Sequence, residues 1–272
     1  MKKVIENFFY HTIIRPIIFT SRLGRRSMLG YADSGLNFDH IYRNEAKGYT
    51  KFGRIIDKIL LNLPSAKATR YRKQKIIELL KEEIARNISC GKKTRVVDLA
   101  SGPSRYLVEL ITEENKDYIE ALCFDIDRRN LEFGKEIAKD KPLLFKKANV
   151  LRLGHYKKLS EKISWRPNLV ICSGLYEYLE DVETKSSLQE IFVSLGDRGF
   201  LLFVTQMDNP NKELIEKLGK TKQGKPWILH YREPRILKEW MINAGFKEIN
   251  IEIDPWKMYV FCSGRKIANG TN

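Results

Sequence analysis

The stretch Val96-Val-Asp-Leu-Ala-Ser-Gly-Pro-Ser-Arg-Tyr-Leu107 decides the fold of this chain. An apolar run ends near the acidic residue Asp98, a turn of small residues follows, and a helical pattern begins. Small residues let the backbone approach a ligand closely where a parallel strand ends. A second apolar run begins at Ile119 and ends at Asp125. A carboxylate in that position can accept hydrogen bonds from both hydroxyls of a ribose.

The same alternation continues to the end of the chain. Short apolar runs occupy residues 95–99, 119–126, 143–148, 168–173, 200–206, 246–253 and 258–263. Helical patterns lie between them at 103–113, 128–139, 183–195 and 233–244. This order predicts an α/β fold, a Rossmann-like seven-stranded, mostly parallel sheet with helices on both faces. Only Asp254-Pro-Trp joins the last two runs, which predicts an antiparallel last strand.

The region before the first strand differs in charge from the rest. Residues 1–95 hold 21 basic and 8 acidic side chains, a net of +13, and residues 96–272 hold 28 and 26, a net of +2. We predict helices at 50–62 and 65–89, separated by Pro64, and an irregular segment from Gly30 to Gly48. The predicted domains are a basic, mainly helical extension over 1–92 and a strand–helix domain over 93–272.

Composition limits the compartment and the partners. The four cysteines are scattered without a Cys-x-x-Cys pair, which argues against a zinc site and favours a reducing cytoplasm. No run reaches the ~20 apolar residues of a membrane span. Residues 4–19 have a helical apolar pattern bent at Pro16, followed by several arginines. The pattern fits either a helix at an anionic membrane surface or a helix that packs on the protein.

The elements from 94 to 266 resemble the class I S-adenosylmethionine-dependent methyltransferases. Their first motif, acidic-x-Gly-x-Gly-x-Gly, corresponds to Asp98-Leu-Ala-Ser-Gly-Pro-Ser104, in which alanine and serine replace two glycines. The region from Tyr31 to Lys75 resembles a bacterial branch of methyltransferases, some of them fused to an α/β-hydrolase. A dehydrogenase is the rival interpretation, but its Gly-x-Gly-x-x-Gly fingerprint keeps one glycine of three here.

The resemblance implies that residues 93–272 are an S-adenosylmethionine-binding methyltransferase domain and that the extension over 1–92 covers the substrate. It also assigns a site to S-adenosylmethionine as cofactor. Asp98 would lie near the methionine ammonium group, Asp125 would bind the ribose, and Asn149 would meet the adenine in place of an acidic residue. The remaining implied cofactor contacts are Ala100, Ser101, Gly102, Ser104, Ile126, Val150 and Ser173.

A general base is needed only if the methyl acceptor is protonated at neutral pH. Tyr176 and His230 are the candidate catalytic residues, each with packing as the alternative. Glu177 is a further candidate, although a solvated acid at a helix start is the favoured interpretation. Candidate substrate contacts are Tyr176, Gln206, Tyr231 and Arg232, and Arg232 fits equally well as the partner of a nearby carboxylate.

We therefore expect a cytoplasmic S-adenosylmethionine-dependent methyltransferase that uses no metal and is either free or peripheral to a membrane. Its acceptor would be a small or lipid-like molecule. RNA methylation is the alternative reaction, although the Asn-Pro-Pro-Tyr element of many nucleic-acid enzymes is absent after the fourth strand. The third hypothesis is a non-catalytic module that keeps the fold and binds the cofactor for regulation.

Overall fold

The computed structural model describes residues 8–150, 165–221 and 224–267. Its centre is a seven-stranded sheet in the order β3-β2-β1-β4-β5-β7-β6. The strands are β1 (Thr94–Leu99), β2 (Ile119–Asp125), β3 (Leu143–Lys147), β4 (Leu169–Ser173), β5 (Phe200–Gln206), β6 (Lys247–Ile253) and β7 (Tyr259–Arg265). Strands β1 to β5 pair in parallel, whereas β7 is antiparallel to both β5 and β6. The predicted fold class is confirmed.

The central strands are buried along most of their length, as their continuous apolar runs predict. Because β1 and β2 pair in parallel, with Leu99 opposite Phe124, their carboxyl ends lie side by side. Strand β4 flanks β1 on the other side, with Cys172 opposite Leu99. Residues that follow these three strands are thus brought to one edge of the sheet.

The helices match most of the predicted ones within a few residues. They are α1 (Arg15–Phe19), α2 (Arg22–Arg26), α3 (Gly35–Arg43), α4 (Lys51–Leu61), α5 (Pro64–Ser89), α6 (Arg105–Leu110), α7 (Arg128–Ala138), α8 (Asp181–Ser194), α9 (Lys212–Leu218) and α10 (Pro234–Asn243). Short 3₁₀ turns lie at Lys116–Tyr118 and Tyr176–Tyr178. Helix α9 was not predicted.

The chain divides into two compact units. One holds the chain up to Tyr71 together with Asn209–Ile228, and the other holds Arg72–Asp208 with the chain from Leu229 onward. The first unit joins the segment around α9 to the N-terminal helices. The domain boundary between residues 92 and 93 stays a prediction. Leu218 of α9 contributes to a small core with Ile18 and Met28.

The prediction of an irregular segment from Gly30 to Gly48 was wrong, since α3 occupies its middle. Helix α3 buries polar side chains, among them Asn37, Asp39 and His40, whereas Phe38 and Ile41 are only half-buried. Asp39 also accepts a hydrogen bond from Arg43 Nε one turn later, at 3.0 Å. The helix is therefore held by polar contacts that hydropathy does not register.

The segment before α1 is helical from residue 8, and residues 4–7 of the predicted helix lie outside the described residues. A π-helical turn over Tyr10–Ile14 precedes Pro16, which stands in the first turn of α1. Proline lacks the amide hydrogen that a continuous helix would use there, and its ring crowds the preceding turn. Within the described ranges, every helix is too short or too polar to cross a membrane.

Candidate active site

The turn after β1 carries an unusual backbone. Ala100, Gly102 and Ser104 all have left-handed conformations, with φ of 54°, 56° and 51°. These are the three positions that the methyltransferase motif fills with glycine. A left-handed conformation costs an alanine or serine roughly 1–2 kcal/mol. Ala100 and Ser104 thus have the left-handed backbone that glycine adopts easily, although neither residue is glycine.

Asp98 lies beneath this turn and is fully buried. Ser104 Oγ donates a hydrogen bond to Asp98 Oδ2 at 2.6 Å, and Tyr106 Oη donates to Oδ1 at 2.6 Å. Burial raises the pKa of Asp98 to about 7, in part offset by the two hydroxyls and increased by the charge of Asp125. The serine that replaces a motif glycine therefore supplies a hydroxyl to the carboxyl group.

Tyr106 was missed by the sequence analysis. It is the second residue of α6, and the left-handed turn before that helix brings its hydroxyl back to β1. The only available signal was its short distance along the chain from Asp98.

Asp125 ties the same turn to the end of β2. Its Oδ2 accepts a hydrogen bond from the amide nitrogen of Gly102 at 2.8 Å. Its Oδ1 accepts from the amide of Asp127 at 2.7 Å and from Asn130 Nδ2 at 3.1 Å. Burial raises the pKa of Asp125, against the lowering effect of these donors. A carboxylate with this many donors is held in one orientation beside the turn.

The other predicted cofactor residues surround these two carboxyl groups. Ala148 N donates to the carbonyl oxygen of Asp125 at 3.0 Å, which brings the half-buried Asn149 and Val150 to the end of β2. Ile126 is 60% exposed directly after Asp125. Ser101 N donates to the carbonyl oxygen of Phe124 at 2.9 Å, which joins the turn to β2 a second time.

A polar cluster follows β4. Glu177, in the 3₁₀ turn after Gly174, is 1% exposed, so the interpretation of a solvated acid was wrong. Burial raises the pKa of Glu177, while the positive charge of Arg72 lowers it. Among the residues that the structure describes, neither Glu177 Oε2 nor the buried Ser173 Oγ has a hydrogen-bond partner. Buried polar atoms without partners are rare and call for an explanation such as a missing ligand.

Tyr176 and Arg232 stabilise this turn. The Tyr176 ring is fully buried and packs edge to face on Phe203, with ring centroids 5.0 Å apart. Arg232 Nε donates to Asp181 Oδ1 at 3.0 Å, and its other nitrogens donate to the carbonyl oxygens of Tyr176 and Leu179. These contacts favour packing for Tyr176 and carboxylate pairing for Arg232, the alternatives stated for each.

The remaining candidates lie nearby. His230 has an exposed side chain, with Nε2 3.6 Å from Glu180 Oε1, and its amide donates to the carbonyl oxygen of Glu177 at 2.8 Å. Gln206 ends β5 and is buried, and Tyr231 is half-buried. Across the described part of the chain, no group of three or more His, Cys, Asp or Glu side chains is arranged to hold a metal ion.

Gly174 lies close to the side chains of this cluster. It has φ of 84°, and a Cβ there would lie 3.3 Å from Arg72 Nη1 and 3.7 Å from Glu177 Oε1. We expect Gly174→Ala to lower the free energy of unfolding by about 2 kcal/mol, from backbone strain and crowding together. Urea denaturation measures the change.

Gly91→Ala is the matched control for that variant. Gly91 has φ of 66°, and within the described residues a Cβ there would meet no atom within 4 Å. It should lose only about 1 kcal/mol, the cost of backbone strain. Equal losses in the two variants would show that the Arg72–Glu177 cluster does not crowd Gly174.

Comparison with known families gives a match over nearly the whole chain. The sequence model of a family described as "Putative methyltransferase" matches residues 5–266. "Uncharacterized protein YnbC" of Escherichia coli (strain K12) is 30% identical over 233 residues. That alignment covers 84% of this chain and 39% of YnbC, so the chain spans well under half of that relative.

Solved structures share the fold at low identity. A possible exported protein from Bordetella parapertussis superposes with a TM-score of 0.67 at 14% identity, over 86% of this chain and 80% of its own. Magnesium protoporphyrin IX methyltransferase from Synechocystis PCC 6803, with bound S-adenosylhomocysteine, superposes with a TM-score of 0.54 at 13% identity. The second match covers 87% of this chain and 96% of that enzyme.

Proposed function

The chain belongs to this methyltransferase family, and from that premise we propose that it transfers the methyl group of S-adenosylmethionine to a small or lipid-like acceptor. One observation carries the proposal. Asp98 lies one residue before the end of β1, Asp125 ends the adjacent parallel strand β2, and the turn after β1 is left-handed at all three glycine positions of the family motif. The fold is that of S-adenosylmethionine-dependent methyltransferases.

The residues present suit that cofactor. When bound, it supplies a methyl group on a positively charged sulfur, which is a good leaving group. Asp125 would receive the ribose hydroxyls, Asp98 would balance the ammonium group, and Asn149 would meet the adenine. The backbone of Ala100, Gly102 and Ser104, with Ser101 between, would border the methionine part, and Ile126, Val150 and Ser173 would complete the contacts. Support comes from the two carboxyl groups and the three left-handed residues at one sheet edge.

We propose Glu177 as the general base, ahead of Tyr176 and His230. It is the acid at the carboxyl end of β4 whose Oε2 has no hydrogen-bond partner in the described residues. Burial raises the pKa of Glu177 above the ordinary glutamate value, which makes its carboxylate a stronger base than an exposed one. Glu177 Oε2 would take the proton from an acceptor O–H or N–H as that atom bonds to the methyl carbon and the carbon–sulfur electron pair stays on sulfur. The acceptor is therefore a hydroxyl or amine compound.

The other predicted substrate contacts also have roles in this proposal. Gln206 and Tyr231 would contact the acceptor, because Gln206 ends the strand next to β4 and Arg232 N donates to its carbonyl oxygen at 3.0 Å. Arg232 would act as a positioning residue, since its guanidinium is occupied by the turn that carries Glu177.

We also propose a cytoplasmic protein that touches an anionic membrane through its N-terminal helix. Phe8, Phe9 and Ile13 are 70%, 51% and 45% exposed, and Arg15 follows them. Apolar side chains next to cations suit a lipid interface. Deleting residues 1–29 to test this membrane contact would also remove Ser21 and Leu23, which both donate hydrogen bonds to the buried Asp57. The substitutions Phe8→Ser and Phe9→Ser avoid that damage.

Labelled methyl transfer into a fractionated cell extract tests the proposed reaction. The wild-type protein should label a small-molecule or lipid fraction. Label in RNA would support the alternative reaction. A protein that binds S-adenosylhomocysteine and labels no fraction would support the non-catalytic module.

A further inference from the structure

Helix α4 turns an apolar stripe toward solvent. Phe52, Ile55 and Ile59 are 51%, 58% and 55% exposed. They recur at intervals of three and four residues, so they lie within roughly 60° of one another around the helix axis. A surface helix ordinarily directs such a stripe at the core. The stripe on α4 therefore needs an explanation outside the folding of this unit.

The opposite face of α4 is fixed by close and polar contacts. A Cβ on Gly53 would lie 2.2 Å from the carbonyl oxygen of Thr20, so only glycine fits. Asp57, one turn later, is fully buried. Its two oxygens lie 2.8 Å from four nitrogen or oxygen atoms, those of Ser21 Oγ, Leu23 N, His40 Nε2 and Lys47 N. Rotating α4 so that the stripe faced the core would break this hydrogen-bond network. The network therefore keeps the stripe facing solvent.

The exposed surface of α4 is also positive. Lys51, Arg54 and Lys58 are exposed along one side of the stripe, and Asp57 is the only acid in the helix. Burial raises the pKa of Asp57, but its hydrogen bonds outweigh burial and hold the pKa below the ordinary value. Both oxygens of its carboxylate therefore have hydrogen-bond partners inside the unit. The face that remains combines three apolar side chains with three cations.

We propose that α4 lies in the interface of an anionic phospholipid bilayer, with Phe52, Ile55 and Ile59 toward the acyl chains and its three cations at the phosphates. This composition is typical of interfacial helices. The inference deepens the membrane contact proposed above by adding a second face, and it does not depend on methyl transfer. A second copy of the chain is a less suitable partner for this face. A stable dimer buries ~800 Å² per partner, and two copies of α4 that faced each other would bring their like-charged cations together.

Vesicle sedimentation with the full chain tests this inference. The probes are vesicles of phosphatidylcholine alone and of equal parts phosphatidylcholine and phosphatidylglycerol. Wild type should partition onto the anionic vesicles, and Phe52→Ser/Ile55→Ser/Ile59→Ser should lower the partition coefficient at least about tenfold. Lys51→Gln/Lys58→Gln should lower it about tenfold on anionic vesicles, and added salt should weaken binding by wild type.

Val182→Ser/Val193→Ser is the matched control, because both valines are at least 70% exposed and lie in the other unit. It should bind vesicles like wild type. Calorimetry with S-adenosylhomocysteine should give the same affinity for wild type and the triple serine variant, which separates this proposal from the proposed reaction. The inference is overturned if wild type fails to bind anionic vesicles or the triple variant binds them equally well. A wild-type dimer that the triple variant dissociates, without vesicle binding, would also overturn it.

Discussion

Glu177→Gln should lower the rate of methyl transfer at least about 100-fold, because glutamine cannot accept the acceptor's proton. The affinity for S-adenosylhomocysteine should stay unchanged, since this role concerns the acceptor. The substitution removes the negative charge that acts on the buried Arg72, so we expect a loss of stability that still leaves the protein folded. The measurement is the initial rate of label incorporation into the fraction that wild type methylates, with thermal unfolding as a check on folding.

The pH profile distinguishes a base from a structural residue. Glu177 works as a base only when it is deprotonated, and burial places its pKa above the ordinary glutamate value. The wild-type rate should therefore rise with pH through that raised pKa, and the rise should be absent from the residual activity of Glu177→Gln. Glu190→Gln, on α8, should retain the wild-type rate and profile. A wild-type rate in Glu177→Gln would remove Glu177 from the mechanism.

The affinity for S-adenosylhomocysteine should fall about tenfold for each pH unit below 7. In the free protein the buried Asp98 has a pKa of about 7, so it is increasingly protonated below that pH. A ligand ammonium group favours the charged carboxylate and lowers this pKa in the complex. Binding therefore releases a proton from Asp98 and weakens as pH falls, until the pKa of the complex is reached.

Calorimetry between pH 6 and 8 measures this dependence, and Asp98→Asn is the diagnostic variant. It should bind weakly at pH 8, with an affinity that does not change with pH. Stability gives an independent readout. Because the folded-state pKa of Asp98 is raised, the unfolded chain loses this proton first as pH increases. The free energy of unfolding of the free protein should fall between pH 4 and 7, by up to about 4 kcal/mol. An affinity for wild type that is the same at pH 6 and 8 would contradict an ionic role for Asp98.

The sheet could be predicted from the sequence because its signals are local. Strands β1, β2, β4 and β5 are continuous apolar runs, and burial on both faces makes such runs easy to recognise. The acidic residues Asp98 and Asp125 were located for the same reason, since each lies at or near the end of its strand. Their hydrogen bonds were not predictable, because Tyr106 and Asn130 reach them through the geometry of the turns.

The residues that were misjudged depend on distant partners. Glu177 was taken for a solvated acid, but it is buried, and the cation that acts on it, Arg72, lies in a helix far earlier in the chain. Helix α3 was missed because its buried face is polar and is satisfied in part by Asp57 in the next helix. The helix over residues 50–62 was predicted correctly, but periodicity cannot tell a core-facing apolar stripe from a solvent-facing one.

The central claim is that the turn after β1 and Asp125 together hold S-adenosylmethionine. Isothermal titration of the folded protein with S-adenosylhomocysteine at pH 8 tests it most directly. Wild type should bind one equivalent, Asp125→Ala should bind at least about tenfold more weakly, and Asp117→Ala, which alters an exposed aspartate before β2, should bind like wild type. Folded wild-type protein that gives no binding, or equal affinity in Asp125→Ala, would contradict the claim.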